Sequence, residues 1–112
     1  MSKVIEVNDH DEFVAFLEKE LPIVIDFWAP WCGSCRPITA MIDEFSETYS
    51  DKVIFAKNNI DVDSVSAKEY NVMSVPTLLF FKNGKELGRM TGVHAKPYVQ
   101  SFVTSLFSED PQ

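Results

Sequence analysis

The chain has 112 residues, 46% of them hydrophobic and 24% charged, and a formal net charge of −7. That length suits a single domain, residues 1–112, around one core. The negative charge speaks against non-specific binding to nucleic acid or to an anionic membrane surface, and no apolar stretch is long enough to span a bilayer.

Val4, Ile5 and Val7 read as a short strand. Asn8 or Asp9 can cap the helix that follows, where Phe13, Phe16 and Leu17 fall on one apolar face. Beyond Pro22, Ile23-Val24-Ile25 and Phe27-Trp28 form a strand apolar on both sides, as a central parallel strand is. Asp26 interrupts it, and a carboxyl among such neighbours is expected to be desolvated, which raises its pKa. The next helix follows Cys32, with Ile38, Met41, Ile42 and Phe45 on its inner side and Asp43, Glu44 and Glu47 on its outer side. Pro37 lies within it and lacks a backbone donor, so a bend is expected there.

Val53 to Lys57 is the third strand. Either Asp61 or Asp63 can cap the short helix running to about Tyr70, and Asn71 suits a left-handed C-terminal position. Val75-Pro76-Thr77-Leu78-Leu79-Phe80-Phe81 is a strand opened by proline, Lys82-Asn83-Gly84-Lys85 a hairpin turn, and Glu86 to Thr91 the returning strand, ended by Gly92. Tyr98, Val99, Phe102, Val103 and Leu106 mark a last amphipathic helix starting near Ala95, and 108–112 is expected to be a frayed tail. The order β-α-β-α-β-α-β-β-α predicts an α/β fold: a mixed sheet, parallel in its first part and hairpin-ended, with helices on both faces.

Chemistry concentrates at Trp31-Cys32-Gly33-Ser34-Cys35, where a buried strand stops and a helix begins. A cysteine at a helix N-terminus faces unpaired backbone N–H groups and the positive end of the helix dipole, and both favour thiolate over thiol. Cys32 is therefore the expected nucleophile. Cys35, one turn further in, is expected to be a buried, less acidic thiol that resolves a mixed disulfide. These are the only two cysteines, too few for a disulfide-stapled secreted scaffold. Met1 to Asp9 has no long apolar run of the kind a secretory leader carries, so a reducing cytoplasm is the expected location, and there the pair is catalytic or metal-binding rather than structural. Zinc needs about four ligands, and the only histidines, His10 and His94, are far away in the chain, so no metal is expected.

Together with the element order, the Cys-x-x-Cys sequence resembles the thioredoxin family over nearly the whole chain. The resemblance also rests on Asp26 in its strand, Trp28 two residues on, Lys57, Val75-Pro76-Thr77, Gly84 and Gly92. It implies a thioredoxin fold and a protein-disulfide reductase in which Cys32 attacks a substrate disulfide and Cys35 releases the product. It further implies that Asp26 moves the proton of Cys35, that Lys57 tunes Asp26, and that Trp28 packs under the active-site loop. Pro76 is implied to be cis, which turns the Val75 backbone toward the sulfurs. Trp31, Gly33, Ser34, Val75, Pro76, Gly92 and Val93, with Met73 nearby, would form the substrate-binding surface.

No cofactor is expected besides the Cys32–Cys35 disulfide, since no Gly-rich nucleotide fingerprint is present. The implied partners are disulfide-containing proteins and a thioredoxin reductase, NADPH–flavin or ferredoxin-linked, acting on a monomer. Three features depart from the family pattern. Ser34 stands where the family has proline, the helix proline is Pro37 rather than a residue at position 40, and the last helix starts at Ala95 rather than a capping Ser. A disulfide isomerase or oxidase, a non-catalytic binding module and a metal-binding chaperone are the alternative readings.

Overall fold

The computed structural model describes residues 2–108; the expected tail lies outside the described residues from 109 onward. Along the chain run β1 (Ile5–Glu6), α1 (His10–Phe16), β2 (Ile23–Trp28), α2 (Cys35–Thr48), β3 (Ile54–Asn59), α3 (Ser64–Glu69), β4 (Thr77–Lys82), β5 (Lys85–Thr91) and α4 (Lys96–Ser105). The five strands form one sheet in the order β1-β3-β2-β4-β5. β1, β3 and β2 are parallel, and β4 and β5 are antiparallel to their neighbours, as the element order requires.

Period-two alternation in the central strands divides the core into two layers. Val24, Phe55, Leu78, Phe80 and Met90 pack against Ile38, Ile42 and Phe45 of α2 and Val99 and Val103 of α4. Ile23, Ile25, Phe27, Leu79 and Phe81 face the other way, against Phe13 and Phe16 of α1 and Ala67 of α3. Each fully buried side chain of this size contributes about 1.5–3 kcal/mol. β2 is covered on both faces, which is why it reads as an apolar run and why Asp26 stands out in it.

Asp9, not Asn8, caps α1 by accepting from the Glu12 amide, and Asp63, not Asp61, caps α3 by accepting from the Val65 and Ser66 amides. Asn71 has φ 57°, the left-handed position just past α3. Asn83 and Gly84, at φ 53° and 78°, form the two-residue turn of the β4–β5 hairpin. Gly88 in β5 is needed for space, because a Cβ there would lie 2.5 Å from the Phe102 ring.

Three expectations are corrected. α2 starts at Cys35 with Ser34 as its N-cap, so Pro37 is the third helical residue. Amides of the first turn have no intrahelical acceptor, so the missing donor breaks no helix bond and α2 runs unbroken to Thr48. Lys57 does not end its strand: β3 continues through Asn58 and Asn59. Those two polar residues are accommodated because Asn58 donates to the Val7 carbonyl and Asp63, while the Asn59 amide donates to Asn8. Finally, Asp43 is not simply an outer-side residue of α2; it is half-buried, accepts from the Ser2 hydroxyl and lines a cavity beside the cysteines.

Candidate active site

β2 ends at Trp28, and the chain folds through successive tight turns into α2. The Cys32 amide donates to Ala29 O, Cys35 to Cys32 O and Arg36 to Gly33 O. The two cysteines are joined as a disulfide, with Cα atoms 5.4 Å apart. Cys35 is the first residue of α2, and Cys32 sits two residues before the N-cap. Both sulfur-bearing side chains are largely covered, Cys32 at 7% exposure and Cys35 at 2%. Ser34 Oγ lies 3.5 Å from Cys32 Sγ, a hydroxyl within reach of the sulfur.

Around the disulfide, Ala29, Cys32 and Cys35 pack with Trp28, Ile60 and Val75. The Val75–Pro76 peptide is cis. Pro76 O accepts from the Gly92 amide, which joins the end of β5 to this loop. Among the described residues, the backbone N–H and C=O of Val75 have no hydrogen-bond partner in the chain. Trp31 is 67% exposed, and its indole N–H donates to Asp61 at 3.1 Å. Val93 and Met73 are also exposed, and Gly33 is open, with no atom near the position of a Cβ.

Beside the disulfide is a cavity of about 250 Å³, lined by Trp28, Cys32, Cys35, Arg36, Thr39 and Asp43 among others. Asp26 is fully buried and reaches this cavity only through its hydrogen bond with the lining Thr39. Opposite Asp26 in the sheet stand Lys57 on β3 and Leu78 on β4. Thr39 of α2 donates its hydroxyl to Asp26 Oδ2 at 3.0 Å, whereas Oδ1 is buried without a partner among the described residues. Burial pushes the Asp26 carboxyl up to about 7, against the pull of the Thr39 hydrogen bond and the Lys57 charge, with Asp43 adding to the rise. Lys57 is itself half-buried, its ammonium 5.4 Å from the centre of the Trp28 ring. A carboxyl raised this far gains or loses its proton close to neutral pH.

The structure brings some of the expected residues together at the sulfurs and leaves Trp31, Gly33, Met73 and Val93 as exposed positions. Trp28, Cys32, Cys35 and Val75 share one cluster, Pro76 and Gly92 are hydrogen-bonded beside it, and Asp26 pairs in register with Lys57. Thr39, Asp43 and Asp61 were missed. Thr39 and Asp43 follow Cys35 by four and eight positions, so helical spacing alone places them on its stripe. Nothing local marks Asp61, which reaches Trp31 only through the fold.

The thioredoxin family profile matches residues 3–105. A thioredoxin of Haemophilus influenzae is 36% identical over 103 residues, covering 92% of this chain and 96% of its own. One from Synechocystis is 39% identical over 101 residues, covering 90% and 94%. The crystal structure of a Malassezia sympodialis thioredoxin superposes with a TM-score of 0.88 at 32% identity, covering 96% of this chain and 94% of that one. With its disulfide at the head of α2, this chain belongs to the thioredoxin family and is a thiol–disulfide oxidoreductase that reduces protein disulfides through Cys32 and Cys35.

Proposed function

We propose that Cys32 is the attacking thiolate of this protein-disulfide reductase, Cys35 the resolving thiol, and Asp26 the group that takes and returns the Cys35 proton. The observation that carries the reading is a fully buried carboxyl hydrogen-bonded to Thr39, which lines the same cavity as both cysteines, with burial pushing that carboxyl up to about 7. Cys32 lies just outside the helix N-terminus, the position where the helix dipole favours a thiolate nucleophile. It attacks one sulfur of the substrate disulfide, forming a Cys32–substrate bond and releasing the other substrate sulfur as a thiolate. Cys35 gives its proton to Asp26 and attacks Cys32. The Cys32–Cys35 bond forms, and the second substrate thiolate leaves with its electron pair. The substrate has gained two electrons and the enzyme has lost two.

Lys57 moderates the Asp26 carboxyl through its charge, and Trp28 supports the loop. Trp31, Gly33, Ser34, Val75, Pro76, Gly92 and Val93 form the docking surface. The unpaired Val75 peptide groups supply a donor and an acceptor for an extended substrate segment, which fits strand-like recognition of many proteins. The redox group is the disulfide itself, and the chain works as a monomeric single domain in a reducing cytoplasm. Its four glycines, at 33, 84, 88 and 92, make no dinucleotide fingerprint. A separate reductase, NADPH–flavin or ferredoxin-linked, therefore supplies the electrons.

The test is covalent trapping. Reduced Cys35→Ser protein, mixed with a disulfide-bonded substrate and resolved by non-reducing mass analysis, should accumulate a one-to-one adduct on Cys32. Cys32→Ser should form none. An adduct on Cys35 in the Cys32→Ser protein at the same rate would overturn the assignment.

A further inference from the structure

Thr39 is the cavity-lining residue bonded to Asp26, and it has no assigned part in the reaction. Its hydroxyl donates to Oδ2 at 3.0 Å, while Oδ1 has no partner among the described residues. A threonine inside a helix ordinarily turns its hydroxyl back to the carbonyl four residues earlier, here Cys35. In this chain the hydroxyl goes across to the sheet instead. A carboxyl with one oxygen accepting a hydrogen bond and the other free takes a proton on the free oxygen.

We propose that Thr39 is a positioning residue for the proton step: it clamps Oδ2 of Asp26, leaves Oδ1 as the oxygen that carries the Cys35 proton, and ties the carboxyl to the wall of the thiol cavity. This rests on the assignment of Asp26 as the proton-transfer group. In the resolving step the proton leaves Cys35 Sγ for Oδ1 as the Cys32–Cys35 bond forms and the substrate thiolate departs. It returns when a reductase reopens the disulfide. The Thr39 bond is stronger to the carboxylate than to the acid, so it opposes the effect of burial and holds the titration near neutral pH.

Other groups facing Asp26 do not reproduce this. Lys57 acts from β3 by charge alone, Asp43 on α2 acts in the opposite sense, Arg36 lines the cavity without a bond to Asp26, and Leu78 on β4 is apolar.

Thr39→Val keeps the shape and removes the donor. Two readouts apply: the Asp26 titration followed by carboxyl-carbon NMR in the oxidised protein, and the pH profile of single-turnover disulfide reduction with a labelled disulfide peptide. Loss of a hydrogen bond to a charged acceptor should move both midpoints up by about one pH unit and slow the resolving step about fivefold at pH 7. Thr39→Ser retains the hydroxyl and should restore both midpoints. It also guards against a Val variant that folds poorly, because a Ser variant with the parental melting temperature and a shifted midpoint overturns the proposal. So does a Thr39→Val protein with unmoved midpoints. Asp26→Asn separates the two levels. If it abolishes the pH dependence while Thr39→Val leaves it intact, only the Thr39 role fails. If Asp26→Asn leaves the profile unchanged, the Asp26 assignment fails and this proposal with it.

Discussion

Replacing Asp26 with Asn should stabilise the oxidised protein, and more so as pH rises. The folded carboxyl titrates at about 7 because it is buried, against an ordinary value of 3.8. Between those values the native state holds a proton that the unfolded chain has released, so the stability present below about pH 4 is lost as pH climbs to 7. Some three pH units at about 1.36 kcal/mol each come to roughly 4 kcal/mol, a large share of the 5–15 kcal/mol typical of such a domain. About half of that loss falls between pH 5 and pH 7. Asparagine has nearly the same shape, carries no charge, and can still accept from Thr39.

The assay is urea unfolding of both proteins, disulfide intact, at intervals from pH 5 to pH 9. The stability of the Asp26→Asn protein relative to the parent should rise by about 2 kcal/mol by pH 7 and then level off, a shift of about 1 M or more in the urea midpoint. A gap that does not widen with pH would refute the reasoning. It would mean that the buried carboxyl is solvated or paired well enough to ionise at its ordinary pH.

Lys57→Met keeps the stem against Trp28 and removes the charge that lowers the Asp26 titration. The stability loss should then extend upward by about 0.5–1 pH unit in the same urea series; an unmoved profile would show that solvent screens the pair. Gly88→Ala places a Cβ 2.5 Å from Phe102 Cζ, in a ring that already packs on Phe80 at 4.2 Å between centroids. It should cost about 1–3 kcal/mol by urea midpoint with disulfide reductase activity unchanged, and a cost below about 0.5 kcal/mol would mean that Phe102 moves aside freely.

The parts of the site that were legible in the chain are the local ones. Cys32 and Cys35 are three positions apart, and the switch from the apolar run of Ile23–Trp28 to helical spacing puts them where a strand becomes a helix. Asp26 is conspicuous because every neighbour in β2 is apolar, and the Asn83-Gly84 turn marks the β4–β5 hairpin. These features depend on periodicity and on backbone preferences of a few adjacent residues, which the chain carries by itself.

What only the tertiary structure decided depends on register between distant segments. Asp26 meets Lys57 because β2 and β3 pair in parallel with those two residues opposite, and one residue of slip would turn Lys57 to the other face. Thr39 meets Asp26 because α2 packs on the face of the sheet to which Val24 and Asp26 point. The same packing makes Asp43 part of the cavity wall. The missing Pro37 donor leaves no helix bond unmade because one residue's hydrogen-bond demand depends on where the helix begins, and α2 begins at Cys35. The sequence by itself determined which atoms do the redox chemistry. The fold decided which lysine and which hydroxyl stand against the Asp26 carboxyl, because those distances are set by packing across the sheet and not along the chain.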